Sequence, residues 1–136
     1  MNAREAALLA ARVADDKKAT DILVQDVSEL LKVTDYFVIV TGANPRQVDG
    51  IVDGIIETLR AEADMRPHFI EGRDELSWVL LDFGSFVVHV FQPEAREYYR
   101  LETLWGDAPL LDLMDAGILD PVYSDRVGAL VGRAEE

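Results

Sequence analysis

Apolar and polar positions alternate most clearly between residues 77 and 91, and this alternation predicts a β-hairpin. Gly84-Ser85 separates two apolar runs, and a Gly-X pair between such runs favours a two-residue type II′ turn. The turn fixes a register in which one face of the hairpin is wholly apolar, and we predict that this face is core. Its facing pairs are Phe83 with Phe86, Leu81 with Val88, and Val79 with Val90.

The opposite face of the predicted hairpin mixes large apolar side chains with a carboxylate. Because side chains alternate along a strand, this face must carry Trp78, Leu80 and Asp82. Their facing residues on the second strand are Phe91, His89 and Val87. An unpaired carboxylate is costly to bury, so we expect this face to be half exposed and shaped for a partner.

Helix and strand signals alternate along the rest of the chain. Asn2 and Glu5 resemble a capping box, which predicts a first helix over residues 3–17. Asn44 followed by Pro45 predicts the start of a second helix that ends near Ala63. The helix carries one apolar stripe that should pack on the sheet: Val48, Ile51, Val52, Ile55 and Leu59. Short apolar runs predict strands at 22–27, 36–40 and 67–71. The order α-β-β-α-β-β-β-α indicates an α/β (α+β) fold, with a mixed β-sheet of about five strands and helices packed on it.

Aromatic residues are concentrated in a third predicted helix, which follows Pro93. Neighbouring positions differ by about 100° on a helix, so of Tyr98 and Tyr99 one should point outward. Trp105 is more easily explained by packing of the helix on the sheet. Tyr and Trp are frequent in interface hot spots, so Trp78 with one of these tyrosines is a candidate binding cluster. From residue 107 the chain has seven acids, two arginines and several Gly and Pro residues, which predicts an irregular or partly disordered tail.

Composition narrows the class of partner. The 136 residues contain 26 acidic and 13 basic side chains, a formal charge of −13, which argues against direct binding of nucleic acid through its phosphates. A neutral or basic protein is the better match. There is no cysteine, no apolar run of about 20 residues and no apolar segment typical of a signal peptide. We therefore expect a cytoplasmic protein that does not enter a membrane.

Motifs for enzymatic chemistry are weak. His68 and His89 are the only histidines, too few for a convincing zinc site. Nucleotidyltransferases place a Gly-Ser turn before a pair of carboxylates that hold magnesium, but here the turn is followed by Phe86-Val87-Val88-His89. The N-terminus of the second helix remains a weak candidate for phosphate. We predict no catalytic residue, metal or cofactor, and keep a nucleotide-binding or nucleotidyl-transferring enzyme as the alternative.

Eight short motifs stand in order along the chain: Asp35 to Ile39, Thr41-Gly42, Arg46 to Val48, Glu71-Gly72, Trp78, Leu80 to Gly84, Val87 to Phe91 and Tyr98 to Trp105. Taken together, they resemble the ribosomal silencing factor family, also called Iojap-related proteins. The resemblance extends over about residues 3 to 110. We therefore predict a silencing factor domain over residues 1–110 and an acidic C-terminal extension over 111–136.

This resemblance implies a factor that is not an enzyme. It would bind the large ribosomal subunit through the basic fourteenth large-subunit protein, block subunit joining and repress translation. The implied fold is a nucleotidyltransferase-like core without the catalytic carboxylates. The implied partner-binding residues are Trp78, Leu80 and Asp82, with Tyr98 or Tyr99 nearby. A role as a large-subunit assembly chaperone stays open, and the exposed apolar face suggests a homodimer off the ribosome.

Overall fold

The helices and strands follow the predicted order in a computed structural model, which describes residues 1 to 135. We number the α-helices and β-strands separately along the chain. Their bounds are α1 Ala3–Asp16, β1 Thr20–Asp26, β2 Tyr36–Thr41, α2 Pro45–Ala63, β3 Phe69–Glu71, β4 Trp78–Asp82, β5 Phe86–Phe91, α3 Pro93–Tyr99, α4 Leu101–Leu104 and α5 Asp125–Glu135, with a 3₁₀-helix at Leu113–Ala116.

Within residues 1 to 135 the five strands form one mixed sheet in the order β1-β2-β5-β4-β3. The central pair, β2 and β5, is parallel, and the other neighbouring pairs are antiparallel. A parallel pair needs a long crossover, and α2 lies within the segment that connects β2 to β5. The predicted α+β fold with a five-stranded mixed sheet is confirmed.

The two long helices, α1 and α2, begin at the capping residues predicted from the sequence. The Asn2 side chain accepts from the Glu5 N–H at 2.8 Å, and the Glu5 carboxylate accepts from the Asn2 N–H, which completes the capping box of α1. The Asn44 side chain caps α2 through the Gln47 N–H. The predicted apolar stripe of α2 is fully buried: Val48, Ile51, Val52, Ile55 and Leu59.

The main core lies between one face of the sheet and the helices α1 and α2. The buried side of α1 is mostly alanine, which lets this helix approach the sheet closely. The apolar face of the predicted hairpin belongs to this core, because Val79, Leu81 and Val88 are completely buried. Burial of this kind is the dominant favourable term in folding.

The hairpin register is confirmed pair by pair. Trp78 lies opposite Phe91, Leu80 opposite His89, and the apolar pairs alternate with them. The Phe83 N–H donates to the Phe86 carbonyl at 3.0 Å across the turn. Gly84 has φ +87°, a backbone conformation that side chains with a Cβ rarely adopt, and this is why glycine stands at the first turn position.

The prediction of a single helix after Pro93 is wrong in one respect. Arg100 adopts a left-handed conformation with φ +47°, so the segment forms two helices, α3 and α4, that meet at this residue. The Arg100 N–H still bonds the Arg96 carbonyl at 3.0 Å, which closes α3. Trp105 is partly buried against the sheet, as the sequence indicated.

The segment after residue 110 is more regular than predicted. It contains the 3₁₀-helix and α5, and it contributes Leu113, Ile118 and Val127 to the interior. The prediction of an irregular tail is therefore wrong for α5, whose Val127 is buried in the interior. The division of the chain at residue 110 stays a prediction, and residue 136 of the predicted extension lies outside the described residues.

A candidate binding face on the hairpin

The second face of the sheet is only partly covered. The helices α3 and α4 and the segments around them pack over β2 and β5, whereas β4 and β3 are left half open. Along β4 the side chains alternate between half-buried and buried, as predicted. We call the following side chains the aromatic ledge: Trp78, Leu80 and Asp82 of β4, Phe69 of β3, and Tyr98 and Tyr99 of α3.

Trp78 is held on three sides. Its ring stacks on Phe91 with centroids 4.8 Å apart and planes inclined by 27°. Tyr99 contacts it from α3, again at 4.8 Å between centroids. The indole Nε1–H donates to Nδ1 of His89 at 3.1 Å. These contacts order a large side chain that nevertheless keeps one surface toward solvent.

His89 is the buried support of Trp78. Its side chain is 3% exposed and contacts Phe37 edge-on at 4.7 Å. Burial, aided by the positive charge of Arg96, lowers the pKa of His89 to about 3. The ring is therefore neutral at neutral pH, with Nδ1 free of a proton to accept from Trp78.

Both tyrosines point outward, where helix geometry required this of only one of them. Tyr98 is 75% exposed and Tyr99 53%, and their rings lie 4.9 Å apart. The buried position of α3 belongs to Arg96, which occupies the side of the helix that faces the sheet. The Tyr99 ring therefore lies beside Trp78, and the Tyr98 ring extends the exposed aromatic surface along α3.

Asp82 lies at the far end of the ledge from Trp78. The two residues are four steps apart along β4, about 13 Å, with Leu80 between them. The Asp82 Oδ1 accepts from the Gly84 N–H at 2.8 Å, so this carboxylate also stabilises the hairpin turn. The carboxylate remains half-exposed, which leaves it accessible to a cation on a partner.

Two residues of this face, Phe69 and Glu71, were not predicted to lie on it. Phe69 pairs with Asp82 and Glu71 with Leu80 in the antiparallel register of β3 and β4, so they project on the same side. Phe69 is 53% exposed. The strand over 67–71 was predicted, but its neighbour in the sheet was not. Placing it antiparallel to β4 would have revealed both residues.

A buried ion pair that was not predicted from the sequence lies beneath α3 and α4. Arg96 is 2% exposed and Glu102 0%, with Arg96 Nε donating to Glu102 Oε2 at 3.1 Å. Arg96 Nη1 also donates to the Thr41 hydroxyl of β2 at 2.9 Å. Burial lowers the pKa of Arg96, and the Glu102 charge opposes this shift. The pair joins α3 to α4, and the bond to Thr41 fixes α3 to β2.

Residues 1 to 135 contain neither a cluster of potential metal ligands nor a membrane-spanning helix. No group of three or more His, Asp or Glu side chains in that range is arranged to hold a metal ion. None of its helices has both the length and the apolar character needed to cross a bilayer.

Comparison with known families decides which family the chain belongs to. The family described as "Ribosomal silencing factor during starvation" matches residues 1 to 127. The chain belongs to this family. The predicted resemblance is thereby confirmed, and the match extends beyond α4 to the start of α5.

Named relatives of this silencing factor agree with the assignment. It is 45% identical over 113 residues to "Ribosomal silencing factor RsfS" of Bacillus subtilis, covering 83% of this chain and 95% of the relative. It is 40% identical over 93 residues to the mouse "Mitochondrial assembly of ribosomal large subunit protein 1", covering 65% of this chain and 40% of that protein. These names describe a regulatory or ribosome-related role and not an enzyme.

A crystal structure supports the same fold. A protein from Chromobacterium violaceum, 36% identical to this silencing factor, superposes with a TM-score of 0.74. The aligned region covers 78% of this chain and 88% of the other. Membership in the silencing factor family is consistent with a ribosome-related function.

Proposed function

We propose that this silencing factor binds the large ribosomal subunit through its fourteenth protein and sterically blocks joining of the small subunit, which represses translation. The observation that carries the proposal is the aromatic ledge, where Trp78 is exposed on one surface and fixed by Phe91, Tyr99 and His89 on the others. Exposed aromatic clusters of this kind are typical of interface hot spots.

Order at Trp78 favours affinity. A side chain that is already fixed before binding loses little conformational entropy when the partner arrives. The ring is fixed by two aromatic contacts and one hydrogen bond, all of them within the free protein. Leu80 beside it adds apolar area that a partner can cover. The ledge is therefore preorganised for a protein surface.

Charge favours a basic protein over ribosomal RNA. The chain has a formal charge of −13, so phosphate backbones repel it. Two acids, Asp82 and Glu71, project on the ledge side of the sheet. A basic protein exposed on the subunit surface would be attracted over long range and paired with these carboxylates at contact. Blocking of this kind requires occupancy and bulk, and needs no turnover.

Subunit joining read by gradient sedimentation tests the proposal directly. Purified small and large subunits are mixed with the protein, and the fraction of joined ribosomes is measured. We expect the unaltered protein to lower that fraction and to co-sediment with large subunits. Trp78→Ala should do neither at the same concentration.

Two leucines toward opposite ends of the sheet, Leu80 on β4 and Leu119 beside β1, provide a matched control. Leu80 is on the ledge, whereas Leu119 is 76% exposed beside β1, an edge strand. Leu80→Ala should weaken the block and Leu119→Ala should leave it intact. Equal effects of the two variants, or an undiminished block by Trp78→Ala, would contradict the assignment of the ledge.

An assembly role is the second candidate, favoured by the name of the mouse relative, which refers to assembly of the ribosomal large subunit. The two roles differ in the substrate they need. Silencing acts on mature subunits, so it is seen with purified components. An assembly factor instead changes the amount of large-subunit precursors in cells that lack it, and leaves joining of mature subunits unaltered.

A homodimer remains a prediction that follows from the same ledge. The exposed rings of Phe69, Tyr98 and Tyr99 offer an apolar surface that a second copy can cover when no ribosome is present. Analytical ultracentrifugation of the protein alone measures this. Trp78→Ala should shift the population toward monomer if the dimer uses the ledge.

A further inference from the structure

The C-terminal segment follows the outer edge of β1. We call residues 109 to 126 the strap. Three backbone hydrogen bonds join it to β1: Asp26 N–H to Pro109 O at 2.8 Å, Leu111 N–H to Val24 O at 2.9 Å, and Asp21 N–H to Val122 O at 2.9 Å. An edge strand with unpaired backbone groups is thus covered by the chain's own end.

The end of the strap is fixed where α5 begins. The Ser124 N–H donates to Asp21 Oδ1 at 2.6 Å, and the Tyr123 hydroxyl donates to the Ile22 carbonyl at 3.1 Å. Val127, in the first turn of α5, is completely buried. These contacts fix the position of the first turn of α5, and with it the direction in which the Arg126 side chain extends.

Arg126 bridges α3 and α4. Its Nε donates to Glu97 Oε2 of α3 at 2.7 Å, and its Nη1 lies 2.7 Å from Glu102 Oε1 of α4. The two helices meet at the left-handed Arg100, so no continuous helical hydrogen bonding holds them in line. One guanidinium from the strap therefore spans this break.

The bridge continues into the sheet. Glu102 is completely buried and contacts Arg126 through one oxygen and Arg96 through the other. Arg96 in turn bonds Thr41 of β2. Removing Arg126 would leave a buried carboxylate oxygen without its cation, and such losses are costly. Glu97 would suffer less, because it is exposed and also pairs with Arg100.

The helix that Arg126 holds carries Tyr98 and Tyr99, and the ring of Tyr99 is one of the three supports of Trp78. We propose that Arg126 is a positioning residue: through Glu97 and Glu102 it holds α3 so that Tyr99 stays against Trp78. The strap thereby shapes the aromatic ledge from the other side of α3 and α4. As a statement about partner binding, this inference rests on the proposed function.

Fluorescence of Trp78 reads the geometry without a ribosome. The chain has two tryptophans, so Trp105→Phe in the full-length protein leaves Trp78 as the only one. In this background Arg126→Gln is compared with Arg133→Gln, which removes the same charge from an exposed position of the same helix. Acrylamide quenching reports exposure of Trp78, and co-sedimentation reports binding to large subunits.

We expect Arg126→Gln to raise the quenching constant about twofold and to weaken large-subunit binding about fivefold, roughly 1 kcal/mol. Arg133→Gln should change neither. Circular dichroism establishes that each variant is folded. If Arg126→Gln fails to fold, Arg126→Lys is measured in the same way, because an ammonium keeps the charge but cannot span two carboxylates as a guanidinium does.

The two readouts separate the inference from the function it rests on. Higher quenching with weaker binding supports both. Higher quenching with unchanged binding supports positioning by Arg126 and contradicts the ledge as the ribosome-binding surface. Unchanged quenching in Arg126→Gln, with or without a lower melting temperature, overturns the positioning role and leaves Arg126 a purely structural residue.

Discussion

The two faces of the sheet differ in the kinds of side chain that they bury. The face under α1 and α2 is continuous and apolar, with Val79, Leu81 and Val88 fully buried. The other face has a smaller apolar cluster and buries polar groups beside it, among them His89, Arg96 and Glu102. It also ends in the half-exposed aromatic ledge. The first face resembles an ordinary domain core, whereas the second combines a core with an interface.

This difference indicates how stability and binding are divided. Apolar burial stabilises without demanding a particular geometry, and moderate changes of shape are tolerated. Buried charges and hydrogen bonds contribute less net stability, but they hold neighbouring groups in one arrangement. In this silencing factor the buried polar groups lie directly under α3 and beside Trp78. We therefore expect mutations on the two faces to affect different measurements.

The largest effect should come from the apolar face. Leu81→Ala removes a completely buried side chain, and we expect the free energy of unfolding to fall by about 2–5 kcal/mol. Its neighbour Leu80 is half-exposed on the ledge, so Leu80→Ala should cost only about 1 kcal/mol. Urea denaturation measures both. Similar losses would show that the two faces contribute alike and would remove the contrast.

The next effect concerns pH. The pKa of His89 is about 3 in the folded protein against an ordinary 6.5, so between these values the unfolded chain binds more protons. The contribution of His89 is therefore complete above pH 6.5 and is lost as pH falls toward 3. Between pH 7 and pH 5, the loss of this contribution lowers the free energy of unfolding by about 2 kcal/mol.

Replacement of each histidine isolates this contribution from that of the many carboxylates. His89→Gln should flatten the dependence of unfolding free energy on pH in this window, whereas His68→Gln, at an exposed position, should not. Urea denaturation at pH 5, 6 and 7 gives the slopes. The same slope in both variants would mean that His89 does not control the acid stability of the second face.

Trp78→Ala should weaken large-subunit binding by at least about 1 kcal/mol, the usual threshold for a contributing interface residue. Trp78→Phe sharpens the comparison, because it keeps a ring against Phe91 but loses the hydrogen bond to His89. We expect an intermediate affinity by co-sedimentation. Full affinity in Trp78→Ala would place the interface elsewhere.

The smallest effect should come from charge at the end of the ledge. Asp82→Arg is expected to weaken binding by about 1 kcal/mol at low salt and by less at high salt, since the attraction is partly screened. Asp82→Asn keeps an acceptor for the Gly84 N–H, so it separates loss of charge from damage to the turn. Asp120→Arg, exposed at the other edge of the sheet, is the control for net charge. Equal effects of Asp82→Arg and Asp120→Arg would contradict a specific pairing.

Features that depend on neighbouring residues were predictable from the sequence. The hairpin register follows from a two-residue turn, and the start of α1 follows from side chains three residues apart. Trp78, Leu80 and Asp82 were placed correctly on a half-exposed face because strand alternation is a short-range rule. Their role at the ribosome stays a prediction.

Features that depend on distant partners were not predictable. Arg96 and Glu102 look like ordinary surface charges in the sequence, and only the packing of α3 and α4 on the sheet buries them. The left-handed Arg100 has no local signal, since glycine is the residue expected there. The order of the strands, and with it the position of Phe69, depends on long-range contacts that hydrophobic periodicity does not predict.

The hydrogen bond between Trp78 and His89 also restricts the chemistry by which a partner can recognise the ledge. An indole has a single N–H, and here it is already donated inward. A partner therefore meets carbon and the π-electron surface of the ring, not a donor. Aliphatic stems, prolines and guanidinium groups suit such a surface, and a guanidinium gains in addition from its charge. Acceptor groups such as phosphate or carboxylate gain no hydrogen bond from Trp78.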